Sequence, residues 1–197
     1  MFSRTDIPWP KKKSPIIIDI GAHIGSFSIR AARECPGAKI IAIEPEPSNY
    51  RQLVENLKRN HVKASTENVA ITKTSGTLIL HRNEKNRGAT SGITDAPGER
   101  ISARSITLPH LLRQKKIARI DLMKIDVEGM EYEILLSLEK KILESIQNLH
   151  LEYHDYFSGT HRKEELIALL KNAGFKVKCE TTILSAITKN GTVIATR

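Results

Sequence analysis

The sequence predicts an α/β fold in which helices cover both faces of a mostly parallel β-sheet, with an antiparallel β-hairpin at the C-terminus. Short apolar runs such as Ile16–Ile20 alternate with amphipathic segments along the chain, which is the order expected of a parallel sheet with crossover helices. The runs are continuously apolar, which is typical of strands buried on both faces. Near the C-terminus, Asn190 and Gly191 separate two strand-like runs, and this dipeptide favours a hairpin turn.

The first half of the chain begins with an arm and continues with three strands. Residues 1–15 are expected to form an irregular N-terminal arm, because Pro8, Pro10 and Pro15 block regular structure. Residues 16–197 are expected to form a single domain. The elements predicted in the first half are strands over 16–20, 39–44 and 64–71, a helix over 26–34, and a helix from Pro47 with an apolar stripe at Tyr50, Leu53, Val54 and Leu57.

The second half of the chain has a less regular start. Within residues 76–104 we expect only a short strand over 77–80 and a polar loop over 82–100. The elements predicted after it are a helix around Leu108–Leu112, a strand over 120–127, a helix over 130–138, a strand over 146–153, a helix around Leu166–Leu170 that ends at Gly174, and a strand over 175–179 before the hairpin.

Composition excludes several classes of protein. The longest apolar stretches are far shorter than the roughly 20 residues that a membrane span needs, and residues 1–15 lack the apolar core of a secretory signal. The two cysteines, Cys35 and Cys179, have no metal-ligand spacing. We therefore expect a protein of the reducing cytoplasm that contacts no membrane.

The net charge of the 197-residue chain is +9, with a pI near 9.6. Such a charge is compatible with a nucleic-acid partner. The basic residues are scattered, however, and the densest groups lie at Lys11–Lys13, Lys58–Arg59 and 113–119. Scattered groups are typical of solvated helix ends and loops, so nucleic acid remains an alternative partner rather than the main expectation.

The first motif with chemical content is DIGAHIG at residues 19–25, directly after the first predicted strand. Gly21 allows a sharp turn at the carboxyl end of the strand, and Gly25 allows the next helix to start close to a ligand. Open α/β sheets bind their ligands at this edge. Asp19 precedes the turn, where a carboxylate suits a ligand with a cationic group, directly or through water, better than it suits a diphosphate.

The second motif is Glu44, at the end of the second predicted strand. A carboxylate at this position accepts hydrogen bonds from the ribose hydroxyls of an adenosine. Pro45 and Pro47 stiffen the turn after it. A nicotinamide dinucleotide is disfavoured because His23 stands where the second glycine of G-x-G-x-x-G would approach the pyrophosphate.

The third motif is KIDVEGME at residues 124–131, at the end of another buried strand. Strand alternation puts Lys124, Asp126 and Glu128 on one side, at the mouth of the ligand crevice. These carboxylates are candidates for orienting the donor, for accepting a proton or for ligating a cation, and no metal-ligand set is assigned. Glu133 is expected to be a solvated residue of the following helix.

The fourth motif is HLEYH at residues 150–154, in which Glu152 and His154 lie on the same side of a strand. They are candidates for a base that acts on a hydroxyl acceptor, with His154 titrating near neutral pH. A polar cluster without catalytic function is the alternative. The remaining histidines are expected at the surface: His61, His81, His110 and His161.

Together these motifs resemble the FkbM family of S-adenosylmethionine-dependent methyltransferases. The matching segments are IIIDIGAHIGSFS at 16–28, IEPEPSNYRQLVENLKRN at 43–60, ENVAI at 67–71, IDLMKIDVEGMEYEILLSL at 120–138 and LHLEYH at 149–154. The string KIDVEG followed by Glu131 is the most specific. The family usually has Asn where this chain has His23, which is a mild departure.

The resemblance implies a Rossmann-like class I methyltransferase fold with a seven-stranded sheet, and it implies residue roles. In the methyl donor S-adenosylmethionine, Gly21, Ala22, His23 and Gly25 would lie along the methionine part. Glu44 would hold the ribose. Asn68, Val69 and Ala70 would flank the adenine, and Asp126 would lie near the transferred methyl group.

The function expected is methylation of a hydroxyl on a small, sugar-like acceptor, since family members are generally O-methyltransferases of such compounds. Candidates for the acceptor-side chemistry are Asp126, Glu128 and Glu152, while Asp19 and Pro45 complete the donor side. One alternative is an RNA (tRNA) methyltransferase, which the basic charge favours. Another is a non-catalytic module that keeps the fold.

Overall fold

The computed structural model describes residues 7–82, 90–91, 99–155, 161–180 and 190–197. The strands are β1 Ile16–Ile20, β2 Lys39–Ile43, β3 Ala64–Glu67, β4 Ala70–Ile71, β5 Gly76–Arg82, β6 Thr90–Ser91, β7 Glu99–Ile106, β8 Leu122–Ile125, β9 Asn148–His154, β10 Lys176–Glu180 and β11 Asn190–Thr196. The helices are α1 Ser26–Glu34, α2 Pro47–Arg59, α3 Leu108–Gln114, α4 Glu131–Leu136, α5 Lys140–Glu144 and α6 Lys163–Asn172.

Seven strands form the main sheet, in the order β10-β11-β9-β8-β1-β2-β3. The five strands β9, β8, β1, β2 and β3 run parallel to one another. β11 is antiparallel to both β9 and β10. The predicted fold class is therefore confirmed. The chain adds β2 and β3 on one side of β1 and later adds β8 and β9 on the other side. This reversal opens a crevice at the carboxyl ends of β1 and β8, where ligands of such sheets bind.

The apolar runs form strands because both faces of the sheet are covered. Neighbouring residues of β1 enter different core clusters: Ile18 packs with Leu111, Leu135 and Leu166 of α3, α4 and α6, whereas Ile17 packs with Phe27 of α1. Both isoleucines are fully buried, and each such burial contributes about 1.5–3 kcal/mol. The strand can therefore be apolar at every position instead of at alternate ones.

A second sheet, β4-β7-β5-β6, lies beside the first and was not predicted. The predicted single strand over 64–71 is two strands, because β3 pairs with β2 while β4 pairs with β7. The predicted irregular region contains the long antiparallel pair of β5 and β7. The central parts of the loop expected over 82–100 lie outside the described residues.

Asn190 and Gly191 are not a turn, which corrects the hairpin prediction. They lie inside β11, opposite His154 and Tyr153 of β9. A Cβ on Gly191 would lie 2.6 Å from the hydroxyl oxygen of Tyr153, so close packing rather than turn geometry requires this glycine. The antiparallel strands themselves are present, and the strand-like run before Asn190 lies outside the described residues.

The residues just before β1 pack against α1, although residues 7–15 contain neither helix nor strand. Ile7 is buried, and the Trp9 ring stacks on Phe27 with 5.5 Å between centroids. Lys12 pairs with the buried Asp121 at 3.2 Å. The arm thus braces the helix that follows the DIGAHIG loop. Among the helices that the structure describes, none is long and apolar enough to cross a membrane.

Candidate active site at the carboxyl edge of the sheet

The DIGAHIG loop turns sharply because its glycines occupy positions that no side chain fits. Gly21 has φ 76°, and a Cβ there would overlap with the backbone oxygen of Asp126. Gly25 has φ 93° and caps α1. The amides of Gly21 and Ala22 both donate to the carbonyl of Ile43, at 3.0 and 2.9 Å. The loop is therefore held between the ends of β2 and β8.

Glu44 is bound to this loop through the backbone of His23. The His23 amide donates to Glu44 Oε2 at 2.8 Å, and the Glu46 amide donates to Oε1 at 3.0 Å. His23 has φ 51°, a left-handed conformation that His and Asn adopt more readily than most residues. Burial raises the pKa of Glu44 to about 7. The side chain of Asn49 also hydrogen-bonds to this carboxylate, which has about four lone-pair sites and so keeps capacity for a ligand.

A cavity opens in front of the loop and extends towards the second sheet. Its lining includes most of the predicted site residues: Gly21, Ala22, His23, Glu44, Pro45, Val69, Ala70, Asp126 and Glu128. It also includes residues that the sequence did not single out as part of a site: Ser26, Asn49, Ile71, Leu78, Leu80, Val127 and Met130. The apolar end is formed by β4 and β5, and the apolar run Leu78-Ile79-Leu80 is the signal in the sequence for this wall.

Four predicted site residues do not line the cavity: Asp19, Gly25, Asn68 and Glu152. Asp19 is fully buried, so the expectation that its carboxylate faces a ligand is not met. Its Oδ2 accepts from the Ser28 hydroxyl at 2.7 Å, and burial raises its pKa. The Asn68 amide donates to the carbonyls of Glu44 and Pro45, at 2.8 and 3.1 Å, and so fixes the turn after β2.

Lys124 links the loop after β1 to the loop after β8. Its Nζ donates to the Gly21 carbonyl at 2.9 Å and lies 3.2 Å from Asp126 Oδ2 and 3.7 Å from Asp19 Oδ1. Burial alone would lower the pKa of Lys124, but the negative charges of Asp126, Asp19 and Glu152 hold it above its ordinary value. Lys124 is therefore a buried cation at neutral pH.

Glu131 organises the loop after β8, a role that the sequence analysis did not assign. It is fully buried and accepts hydrogen bonds from the amides of Val127 at 3.1 Å and Gly129 at 3.0 Å. Between these amides, Glu128 has φ 51°, a left-handed conformation that costs free energy unless the surroundings hold it. Glu133, in contrast, is partly exposed and pairs with Lys73 at 2.8 Å.

His154 joins Glu131 and Glu128 from the end of β9. Its Nδ1 lies 2.8 Å from Glu131 Oε1, and its Nε2 lies 3.5 Å from Glu128 Oε2. Burial alone would lower the pKa of His154, but the hydrogen bond to Glu131 and both negative charges raise it to about 9. His154 is thus charged at neutral pH, and the prediction that it titrates near neutrality is wrong.

Glu152 lies on the same strand, beside Asp126. Burial and then the charge of Asp126 raise the pKa of Glu152 above its ordinary value. Asp126, Glu131 and His154 each offer an atom within 4.8 Å of the others, a spacing that also suits a cation. Within this grouping Glu131 is hydrogen-bonded to His154, and Asp126 is paired with Lys124. His81, expected at the surface, is buried.

Comparison with known proteins identifies the family. Residues 19–177 match the family described as the methyltransferase FkbM domain. The chain belongs to the FkbM methyltransferase family. Among its relatives, the 31-O-demethyl-FK506 methyltransferase FkbM of Streptomyces tacrolimicus is 29% identical over 92% of this chain and 80% of its own length. Hexuronic acid methyltransferase AglP of Haloferax volcanii is 22% identical over 73% of this chain and 57% of its own length.

Solved structures of methyltransferases share the fold. The precorrin-6y C5,15-methyltransferase of Geobacter metallireducens superposes with a TM-score of 0.57 at 16% identity, over 96% of this chain and 84% of that one. TrmK of M. capricolum, solved with S-adenosylhomocysteine, gives a TM-score of 0.52 at 12% identity, over 92% and 61%. By its family this chain is an S-adenosylmethionine-dependent methyltransferase, and the solved structures show that it shares the class I methyltransferase fold.

Proposed function

We propose that this FkbM protein transfers the methyl group of S-adenosylmethionine to a hydroxyl group of a small, sugar-like acceptor. The observation that carries the proposal is the cavity in which the Gly21 loop, the buried Glu44 and Asp126 meet at the carboxyl edge of the sheet. The residues that line the cavity are apolar at the second sheet and acidic at the end of β8. An adenosine with a cationic methionine part has the same change of polarity.

The donor side fits S-adenosylmethionine group by group. The adenine lies against Val69, Ala70, Leu78 and Leu80, where its flat surface replaces water on apolar side chains. Both ribose hydroxyls donate to Glu44, whose oxygens have lone pairs left beside the two backbone amides. The methionine part follows Gly21, Ala22 and His23, and Gly25 starts α1 behind them. Pro45 and Asn68 hold the turn beneath the ribose.

The acceptor side supplies carboxylates for orientation and proton removal. The sulfonium already makes the methyl group reactive, so the protein contributes positioning and removal of the hydroxyl proton. Glu152 is the preferred base, because burial and the charge of Asp126 raise its pKa, which suits a group that must accept and release a proton. Since Glu152 does not line the donor cavity, this role places the acceptor hydroxyl on the β9 side of Asp126. Asp126 and Glu128 line the cavity beside it and hold the acceptor.

The names of two relatives support a small acceptor. One is a methyltransferase of 31-O-demethyl-FK506, and one is a hexuronic acid methyltransferase. Neither name specifies a macromolecule. The acceptor of this chain is therefore to be sought first among small compounds with hydroxyl groups.

Calorimetric titration with S-adenosylmethionine, S-adenosylhomocysteine and NAD in parallel tests the donor. Micromolar binding of the first two without NAD is the expected result, and binding of NAD alone would overturn the proposal. A panel of neutral and acidic sugars, with methyl transfer followed by mass spectrometry, then tests the acceptor. Donor binding without turnover on any acceptor would favour a non-catalytic module.

Methylation of RNA is a second candidate, favoured by the net charge of +9. The carboxylates of Asp126 and Glu128 argue against it, because a phosphate next to the transferred methyl would be repelled. Binding of tRNA should be measured between 50 and 200 mM salt, where phosphate contacts lose affinity steeply (about 10³-fold or more for six contacts). Tight, salt-sensitive binding together with methylation would favour this candidate over a small acceptor.

A further inference from the structure

We infer that Lys124 is a positioning residue that fixes the methionine end of the donor site. The inference rests on the proposed function, because it concerns how the donor is held. Lys124 Nζ donates to the Gly21 carbonyl at 2.9 Å and lies 3.2 Å from Asp126 Oδ2. Its two partners belong to different loops, after β1 and after β8, which face the same cavity.

The link between these loops is built into the sheet. Lys124 lies directly opposite Asp19 on β1 and His150 on β9, so a row of three polar residues crosses the middle of the sheet. The Lys124 side chain is 4% exposed and that of Asp19 is 0% exposed. Burying a lysine is costly unless it is paired and hydrogen-bonded. If residue 124 were needed only for packing, an apolar side chain would fill the position as well.

Lys124 acts on one end of the cavity only. It holds the carbonyl of Gly21, the first residue along the methionine part, and the carboxylate of Asp126 on the opposite wall. The ribose and adenine end is made by Glu44, β4 and β5, whereas the hydrogen bond and ion pairs of Lys124 go to Gly21, Asp126 and Asp19. Removal of the amine should therefore affect ligands with a methionine part more than ligands without one.

Two ligands separate this role from general stability. S-Adenosylhomocysteine carries the methionine-derived part, and methylthioadenosine has the same adenosine and sulfur without it. In Lys124→Met, calorimetry should show a loss of S-adenosylhomocysteine affinity of about tenfold to hundredfold, while methylthioadenosine affinity stays within about threefold of wild type. The matched control is Lys178→Met on β10, where the lysine is 60% exposed and pairs with Glu180; it should change neither affinity.

An equal loss of both affinities, or no loss of either, in a folded Lys124→Met protein would overturn the inference. If the variant does not fold, Lys124→Met is compared with its parent in an Asp19→Asn background, where no buried carboxylate is left without its cation. The affinities for the same two ligands then test the inference. If the double variant also fails to fold, Lys124 has a role in stability only and the inference is overturned. If wild type binds neither ligand, the proposed function fails, which is a different result.

Discussion

The two sides of the cavity are constructed differently. On the donor side, geometry is set mainly by the backbone: Gly21 and Gly25 have positive φ, His23 contributes its amide, and the apolar wall comes from β4 and β5. On the acceptor side, geometry is set by charged side chains, with Glu131 and His154 holding the loop that carries Glu128. A site shaped mainly by the backbone is most sensitive to changes of shape, and only the side chains that hold the loop, Glu44 and Lys124, matter in the same way. A site made of charges is sensitive to single substitutions and to pH.

The largest effect should come from the acceptor side. In Glu152→Gln, kcat for methyl transfer should fall by about 10²–10⁴-fold, because the hydroxyl proton loses its base. The affinity for S-adenosylhomocysteine should stay unchanged, since Glu152 does not line the cavity. Steady-state kinetics on an acceptor found in the panel measures the first quantity and calorimetry the second. An unchanged kcat would mean that Asp126 or Glu128, and not Glu152, removes the proton.

A change of shape tests the donor side. Gly21→Ala should lower S-adenosylhomocysteine affinity by about 100-fold or more, because the new Cβ overlaps with the Asp126 backbone and the loop must move. Gly76→Ala is the matched control: it also has positive φ, but a Cβ there meets nothing within 4 Å. Equal donor affinity in the two variants would show that close packing against Asp126 does not fix the conformation of the DIGAHIG loop.

Glu44 should connect donor binding to pH. Its pKa of about 7 lies above the ordinary value, so below pH 7 it is mostly protonated and accepts fewer hydrogen bonds from the ribose. Methylthioadenosine, which has no amino group that titrates, should therefore bind more tightly as pH rises through 7. Glu44→Gln should bind it about tenfold more weakly above pH 7 and without this pH dependence. A flat profile in wild type would remove Glu44 from the ribose site.

The smallest effect concerns stability. Glu131→Gln should lower the free energy of unfolding by about 1–3 kcal/mol, because a buried acceptor of two amide bonds and of His154 is replaced by a weaker one. Glu133→Gln, two residues away and partly exposed, should change it by less than about 0.5 kcal/mol. Urea denaturation of both variants gives the comparison. Similar values would mean that the buried network contributes nothing specific.

The sequence predicted those parts of the molecule whose signals are local. Largely apolar runs marked β1, β2 and β8, apolar residues at alternate positions marked β9, and Gly21 and Glu44 follow directly from strand ends. Asp19 was placed at the right end of β1, but its contact with Lys124 depends on the pairing of two distant strands. A pattern along one strand does not show which of its polar residues the neighbouring helix will bury.

Glu131 and β7 escaped prediction for the same reason. A glutamate in the first turn of a helix is ordinarily solvated and favoured by the helix dipole, and only His154, from another strand, makes this one buried. β7 contains two arginines and two serines and has weak alternation. It is a strand because β5 pairs with it over seven positions, a contact between distant segments that intrinsic propensity does not encode.

The step from β3 to β4 takes the chain from one sheet into another through Asn68 and Val69 alone. The cavity spans this step, with Glu44 on the main-sheet side and Leu78 and Leu80 on the other. An adenosine bound across it would act as a non-covalent cross-link between the two sheets, in addition to the core cluster that they share. Amide hydrogens of β5 and β7 would then exchange more slowly whenever the cavity is filled, so cofactor supply would govern how cooperatively the two sheets unfold.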